Sequence, residues 1–509
     1  MPRFWLALAV LVLAAAAAVP GWTQPVPAVP AITAPEPRAA IGTATAGRRF
    51  AADGQDFAYT VRAAWQPVPS LTGAVTGEVF HVAYTRDGAA APTRPILFAF
   101  NGGPGASSVY LHLGAMGPRR AAVGPDGTLQ PGQPMLVDNA ESWLSFADMV
   151  FVDPVGTGLS RIAGGATNSE DARAFWDVEI DARSMARFVR DFLQRTGRRE
   201  SPLYLVGESY GGFRVARMAR MLSEFHGIRP AGLVMVSPVL DRGAMAVDPF
   251  MPVPAMLRLP TYAAIAWRHE RVAGVGRDAA ARDLFVAEAE RFALGDGLIA
   301  ASAGDALSVD RRKAFHAGMA RFTGLSLEDI ARRDGVIGPD VFAAMLLAGS
   351  GRVLGLYDAS VTLPRGDRTS GLRGLGSTLG TAIETYLRDE VGLATSGKYV
   401  PLNFQTSRDW QWLGRGDFGY PNAAPRLREA LMADAALRVL IVHGRYDLVT
   451  PFASSTWTVA QLRLPPARRA AIRFGLFEGG HMMYLHDESR RGLTATAREF
   501  IAQPAPAAP

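Results

Sequence analysis

The stretch Gly207-Glu208-Ser209-Tyr210-Gly211 is a Gly-x-Ser-x-Gly pattern, and it occurs once in the 509 residues. A serine hydroxyl is a weak nucleophile until a base takes its proton and an acid orients that base. On a strand–turn–helix elbow the two glycines clear the space opposite the serine, and the acid and then the histidine follow later in the chain. Asp447 closes "VLIVHGRYD" and His481 closes "RFGLFEGGH", both after Ser209 and in that order. The remaining need is a pair of N–H donors aimed at the charge that develops on a carbonyl oxygen. "FNGGPGASS" (residues 100–108) can supply one, because Gly102 and Gly103 let backbone approach a substrate and Pro104 stiffens the turn. The N–H of Tyr210, directly after the serine, is the second. These residue types in this order predict acyl transfer through Ser209, with His481 as base and Asp447 as its orienting acid.

The other seven histidines fit less well. His443 lies inside the Asp447 strand, His112 follows the first Gly-rich loop, and His486 falls on the helix expected after His481. His81, His226, His269 and His316 sit in a strand, near a helix end or in the central segment.

Such groups must stand at the ends of strands. "RPILFAF", "DMVFV", "PLYLV", "PAGLVMV", "LRVLIV" and "IRFGLF" are short, nearly continuous apolar runs, each ending in a Gly- or Asp-bearing loop. That pattern belongs to parallel strands buried on both faces. Amphipathic runs such as residues 170–196 lie between some of them, so the expected fold class is α/β, with a mostly parallel central sheet and functional loops at the strands' carboxyl ends. From residue 242 to 396 the pattern turns helical with no evident sheet strand, which reads as a cap inserted over the strand ends. The catalytic domain is then 46–241 plus 397–502.

The chain opens "MPRFWLALAVLVLAAAAAVPGWTQ", with Arg3 before an apolar run and small residues at Ala16 and Ala18. Residues 1–18 read as an export signal, the run being short for a membrane span; removal and retention as an anchor are the two readings. Residues 19–45 read as a Pro/Ala-rich linker and 503–509 as a similar tail. A net charge of +6 is scattered, without a basic stripe carrying aromatics, which argues against a nucleic-acid partner. There is no cysteine, hence no disulfide, thiolate metal site or cysteine nucleophile. Neither H-E-x-x-H nor a carboxylate cluster occurs, and the serine chemistry calls for no metal or organic cofactor. The expectation is an exported protein with no stable membrane association after signal removal.

Taken together, "NGGPGASS", "DPVGTGLS" (residues 153–160) and "GESYGG" resemble the serine carboxypeptidase family, the class that includes cathepsin A. "HGRYDLVTP" and "EGGHMMY" agree with that family's acid and histidine loops. The resemblance covers roughly residues 90–240 and 395–490. It implies an α/β-hydrolase fold, peptide substrates, Ser209, Asp447 and His481 as the triad, and Gly103 with Tyr210 as oxyanion donors, Gly102 being an alternative to Gly103. It further implies that Asn101 and Glu208 bind a peptide's terminal carboxylate. Two carboxyl groups can meet only if one holds a proton, which raises the Glu pKa and favours acidic pH.

Some positions depart from the family pattern. Ala115 in "LGAMGPRR" stands where the best-known members carry a second Glu, and Arg119 and Arg120 are the nearby charges that could compensate. Phe100 replaces a Trp, and the family's disulfides are absent. Asp153 reads as structural in a loop on the cleft floor. Trp410 and Trp412 read as pocket walls, with a core role for at least one of them.

The leading reading is an exported serine carboxypeptidase working through an acyl-enzyme. A proline-releasing aminopeptidase, an esterase or an acyltransferase on the same scaffold is the alternative, since fold does not settle substrate. A binding protein of the cell envelope that kept the fold without catalysis is a further one.

Overall fold

The computed structural model describes residues 43–503 apart from residues 53, 71, 74–75, 90–92, 164–169, 367–369 and 414–418. The export signal, almost all of the linker and all but the first residue of the tail lie outside the described residues.

Nine strands form the main sheet: β1 (Ala44–Ala52), β2 (Gln55–Pro69), β3 (Thr76–Arg86), β4 (Ile96–Phe100), β5 (Asp148–Val152), β6 (Leu203–Glu208), β7 (Gly232–Val236), β8 (Arg438–Gly444) and β9 (Ile472–Phe477), in the order β1-β2-β3-β5-β4-β6-β7-β8-β9. A short tenth strand, Arg161–Ile162, pairs with β3. From β5 to β9 every pairing is parallel, and these are the six apolar runs of the sequence. β1, β2 and β3 add an antiparallel meander that joins the parallel part where β3 pairs β5. Of that meander only β3, which carries His81, reads as a strand in the sequence.

Alternate residues of the parallel strands enter two different cores, as the period of two requires. Leu97, Ala99, Val206, Val234, Leu440 and Val442 face one side, where Leu493, Ala497 and Phe500 of the helix Asp487–Ala502 cover them. Phe98, Leu205, Leu233, Met235, Val439 and Ile441 face the other, against Met185, Phe188 and Phe192 of the helix Val178–Arg195 and Phe213 of the helix Tyr210–His226. Helices on both faces of a mostly parallel sheet, in this strand order, make an α/β-hydrolase fold. Among the described residues no helix is long and apolar enough to cross a membrane.

The segment 242–396, read as a largely helical cap with no evident sheet strand, shows two further features. It contains an antiparallel hairpin, Arg352–Leu354 with Thr362–Pro364. Its helix Ser370–Thr385 sends Leu375, Leu379 and Ile383 into the core of the sheet. The helices from Leu259–Arg268 to Pro339–Met345 build a separate core, which also takes in Tyr446, Leu448 and Phe452 from the loop after β8.

Candidate active site

β6 ends at Glu208 and the helix Tyr210–His226 starts two residues later, leaving Ser209 alone to make the turn. Its backbone sits at φ 58°, ψ −122°, a strained conformation for an L-residue that costs about 1–3 kcal/mol. Hydrogen bonds hold it there: Ser209 N–H donates to the Val236 carbonyl (3.0 Å), and the Ser209 carbonyl accepts from Gly212 (2.9 Å) and Val239 (3.0 Å). The flanking glycines are steric necessities. A Cβ on Gly207 would lie 2.2 Å from the Gly211 carbonyl oxygen, and one on Gly211 would lie 2.3 Å from that of Phe100.

Asp447 is fully buried in the loop after β8, and every lone-pair direction of its carboxylate is used. Oδ1 accepts from the backbone of Val449 (2.8 Å) and Thr450 (2.9 Å). Oδ2 accepts from the Thr450 hydroxyl (2.5 Å) and from His481 Nδ1 (2.8 Å). An acceptor-only carboxylate requires the imidazole proton on Nδ1, so Nε2 is the basic nitrogen. Burial pulls the His481 imidazole down, but the Asp447 charge and hydrogen bond, helped by Glu208, outweigh it and hold the group above its ordinary value. The His481 backbone is clamped as well: its N–H donates to the Tyr357 carbonyl (2.5 Å), and its carbonyl accepts from the Ser237 hydroxyl (2.8 Å).

The loop after β4 presses against the elbow. A Cβ on Gly102 would lie 2.5 Å from the backbone nitrogen of Tyr210, and Gly103 takes a φ of 96°. Tyr210 opens its helix, so its N–H has no carbonyl of a preceding turn to bond. Gly102, Gly103, Ser209 and His481 line one cavity of about 110 Å³, together with Asn101, Glu208, Tyr357, Leu372 and Met482. A second cavity of about 310 Å³ adjoins it, sharing Tyr110, Leu372 and Leu402.

Glu208 and Asn101 are both buried beside the serine. The Asn101 side-chain oxygen accepts from the Leu111 N–H (3.0 Å), which turns its amide nitrogen the other way, and Asn101 hydrogen-bonds Glu208. Burial pushes the Glu208 carboxyl up to about 7, against the His481 charge and the hydrogen bonds from Tyr484 and Asn101, which pull it down.

Behind the elbow lies a buried ion pair. Arg214 Nε donates to Asp181 Oδ2 (2.7 Å) and Arg214 Nη1 to the Asn101 carbonyl (2.7 Å), while the Tyr210 hydroxyl donates to the same Asp181 oxygen (3.1 Å). One pair thus ties Asn101 and Tyr210 together from below. Arg214→Met is expected to destabilise the protein by about 3–5 kcal/mol by leaving Asp181 buried and unpaired. The double variant with Asp181→Leu should recover most of that in denaturant unfolding; equal losses in single and double variants would contradict the assignment.

The remaining sequence candidates are placed as follows. Ala115 is buried in apolar core, and its carbonyl accepts from the Asn139 side chain (2.8 Å). Arg119 is spent on Asp138 (2.5 Å) and Glu390 (3.1 Å), and Arg120 bonds the Ala121 carbonyl, so neither brings positive charge to the cavity. Trp410 and Trp412 are not walls of that cavity. Both pack edge-on against the Tyr210 ring, at 5.2 and 5.3 Å between centroids, with Arg242 over Trp412. Asp153 accepts from the Ser108 N–H (2.9 Å), and the Ser108 hydroxyl is shared between the carbonyls of Ala99 and Val152, fixing the Gly-rich loop to β4 and β5. Each rival histidine has other company: His112 bonds Tyr84 (2.6 Å), His443 bonds Ser455 (2.9 Å), His486 pairs Asp358 (2.7 Å), His316 pairs Asp334 (3.2 Å) and His269 bonds the Ala359 carbonyl (2.6 Å). His81 packs against Phe188 and Phe192, and burial next to cationic Arg190 lowers His226.

Sequence reading missed Thr450, Ser237, Tyr357, Tyr484, Asp181 and Arg214. Only Thr450 left a trace, since a Thr three residues after an Asp is placed for a local side-chain turn. Among the described residues no group of His, Asp and Glu is arranged to hold a metal ion. A strained serine, a buried His–Asp pair and an adjacent glycine loop are together equipped for acyl transfer.

Residues 73–228 match the family model described as serine carboxypeptidase. That span contains Asn101 to Tyr210 but neither Asp447 nor His481. The chain is 32% identical over 155 residues to "Serine carboxypeptidase-like 45" of Arabidopsis thaliana, covering 29% of this chain and 31% of that protein. It is 30% identical over 183 residues to "Serine-type carboxypeptidase F" of Aspergillus niger, covering 36% and 29%. The matched stretch thus spans under a third of either relative's length. A solved structure titled as a putative aryl esterase from Burkholderia cenocepacia overlaps 86% of this chain and all of its own, at 14% identity and a TM-score of 0.36. The fold assignment rests on the sheet order given above.

Proposed function

We propose that this chain, which over residues 73–228 matches the serine carboxypeptidase family model, removes C-terminal amino acids from peptides through an acyl-enzyme on Ser209. The observation that carries this reading is the juxtaposition in one cavity of Ser209 and His481 with Asn101 and Glu208, a nucleophile and base beside a group able to meet a carboxylate.

In this reading Ser209 Oγ attacks the carbonyl of the last peptide bond while His481 Nε2 takes the hydroxyl proton. The Gly103 and Tyr210 N–H groups, with Gly102 as the alternative to Gly103, stabilise the oxyanion. His481 then gives its proton to the leaving amino acid's nitrogen, the C–N bond breaks, and the Ser209 ester remains. Water, deprotonated by His481, attacks that ester and restores the serine hydroxyl. Asn101 and a protonated Glu208 hold the terminal carboxylate, which places the last peptide bond over the serine. Tyr357 and Leu372 give the segment 242–396 a share of the cavity wall, which supports its role as a cap. Export rests on residues 1–18, and the intact mass of the purified protein reads whether that segment is removed.

Incubation of a defined peptide with the full chain, followed by mass spectrometry over time, tests the reading. A ladder shortening from the carboxyl end is expected. Shortening from the amino end would favour the proline-releasing alternative, and an intact peptide alongside ester turnover would favour an esterase.

A further inference from the structure

Ala115 leaves the candidate carboxylate site with a single acid, yet the space beside Glu208 is filled. Tyr484 occupies it. This residue lies on the short turn Met483–Leu485 that follows His481, and its side chain is fully buried. Its hydroxyl donates to Glu208 Oε2 at 2.6 Å. Its ring packs against the turn that carries Ala115: a Cβ on the neighbouring Gly114 would lie 2.8 Å from Tyr484 Cε2. Asn101 hydrogen-bonds both Glu208 and Tyr484, with its amide orientation set by Leu111. The three side chains form a closed buried set, of which Asn101 and Glu208 also face the cavity that holds Ser209.

A phenol in that place differs chemically from a second carboxyl. Burial and the neighbouring Glu208 push the Tyr484 hydroxyl well above its ordinary value, so it stays a donor throughout the working range of a protein. Donation to Oε2 keeps the Glu208 carboxyl in one orientation and leaves the proton of its neutral form to Oε1. Two carboxyl groups facing a third would need two protons to be held; this arrangement needs one.

We propose that Tyr484 is the positioning residue for carboxylate recognition in this chain, its hydroxyl fixing Glu208 as the single acidic group that meets the substrate's terminal carboxylate. The inference rests on the carboxypeptidase reading. The groups that face Glu208 from the surrounding elements are Asn101 and Tyr110 after β4, Tyr357, Asp447, and His481 and Tyr484 on one loop. Within this set Glu208 is the acid raised to about 7, so its proton is the one whose loss should weaken free-acid binding.

The test compares an N-blocked dipeptide with a free carboxylate against its C-terminal amide, on the full chain and on Tyr484→Phe, from about pH 4 to about pH 8. In the wild type, log KM for the free acid is expected to rise with the slope of one proton, while that of the amide stays flat. In Tyr484→Phe, KM for the free acid is expected to rise about tenfold at acidic pH, with a much smaller change in kcat and in the amide's KM. The midpoint should also move to higher pH, because the lost hydrogen bond is one that lowers the Glu208 carboxyl. A two-proton slope in the wild type would overturn the proposal without reference to the variant, and so would equal losses on free acid and amide in Tyr484→Phe. A wild type that does not prefer the free acid would instead bring down the carboxypeptidase reading itself.

Discussion

Ser209→Ala is expected to lower kcat on every cleavable substrate by a factor on the order of 10⁶, with no comparable change in stability. The loss is that large because base, acid and nucleophile act as a unit, and what survives is the contribution of the oxyanion donors and binding. Stability should hold because the Ser209 side chain caps no helix N–H. The strain at φ 58° is a backbone property that alanine shares, and the bonds to Val236, Gly212 and Val239 are all main-chain. A fluorophosphonate should label the wild type at Ser209 and leave the variant untouched. Residual activity of even a few per cent, at unchanged melting temperature, would mean that the nucleophile lies elsewhere.

Asp447→Asn carries the second large effect, on the order of 10⁴ in kcat. The structure says why an amide cannot substitute. Oδ1 is held by two backbone N–H donors, from Val449 and Thr450, so the asparagine oxygen must take that side. Its amide nitrogen then faces the Thr450 hydroxyl and His481 Nδ1, where acceptors are required. The imidazole proton is driven to Nε2, and the nitrogen that should accept the serine proton is blocked. The pH profile adds a separate signature. In the wild type His481 is raised because Asp447, helped by Glu208, overcomes burial; without the Asp447 charge only Glu208 opposes burial, and the imidazole falls. The acidic limb of kcat should therefore move to lower pH while the whole profile drops. An acidic limb that stays in place would contradict the pairing.

How much of this was legible in the sequence depends on whether a feature is local. The elbow could be read because Ser209 and its flanking glycines form one local turn, in which a Cβ on Gly207 would meet the Gly211 carbonyl four residues on. The clash that keeps Gly211 a glycine, with the distant Phe100 carbonyl, is not visible locally. Five of the six parallel strands could be read because both faces are buried, as in "LYLV" and "VLIV", which leaves them mostly apolar, while the edge strand β9 is half-buried and carries Arg473. β1 and β2 escaped notice because they alternate: Arg48, Arg62 and Gln66 interrupt the apolar residues, and Gly47, Pro67 and Pro69 look like loop signals. Tyr484 and Arg214 were hidden for a different reason. Arg214 lies in an ordinary helical run and Tyr484 only at the end of the histidine motif, and each role comes from a partner far along the chain, Glu208 for Tyr484 and Asp181 with Asn101 for Arg214. Arg119 and Arg120 failed the opposite way, being near Ala115 in sequence while Arg119 is bound to Asp138 and Glu390. The aromatic pair Trp410 and Trp412 is near the site but one layer out, both rings edge-on to Tyr210; neither is a wall, and the core role expected for at least one of them falls to the buried Trp410.

The measurement that bears most directly on the whole account is the ratio of kcat/KM for an N-blocked dipeptide free acid to that for its amide, with Ser209→Ala as the blank. The account predicts a ratio well above one at acidic pH that collapses as Glu208 loses its proton near pH 7. A ratio near one at every pH, with ester and amide cleaved as readily as the acid, would contradict it: Ser209, Asp447 and His481 would remain a hydrolase's machinery, but Asn101 and Glu208 would not be reading a carboxyl terminus.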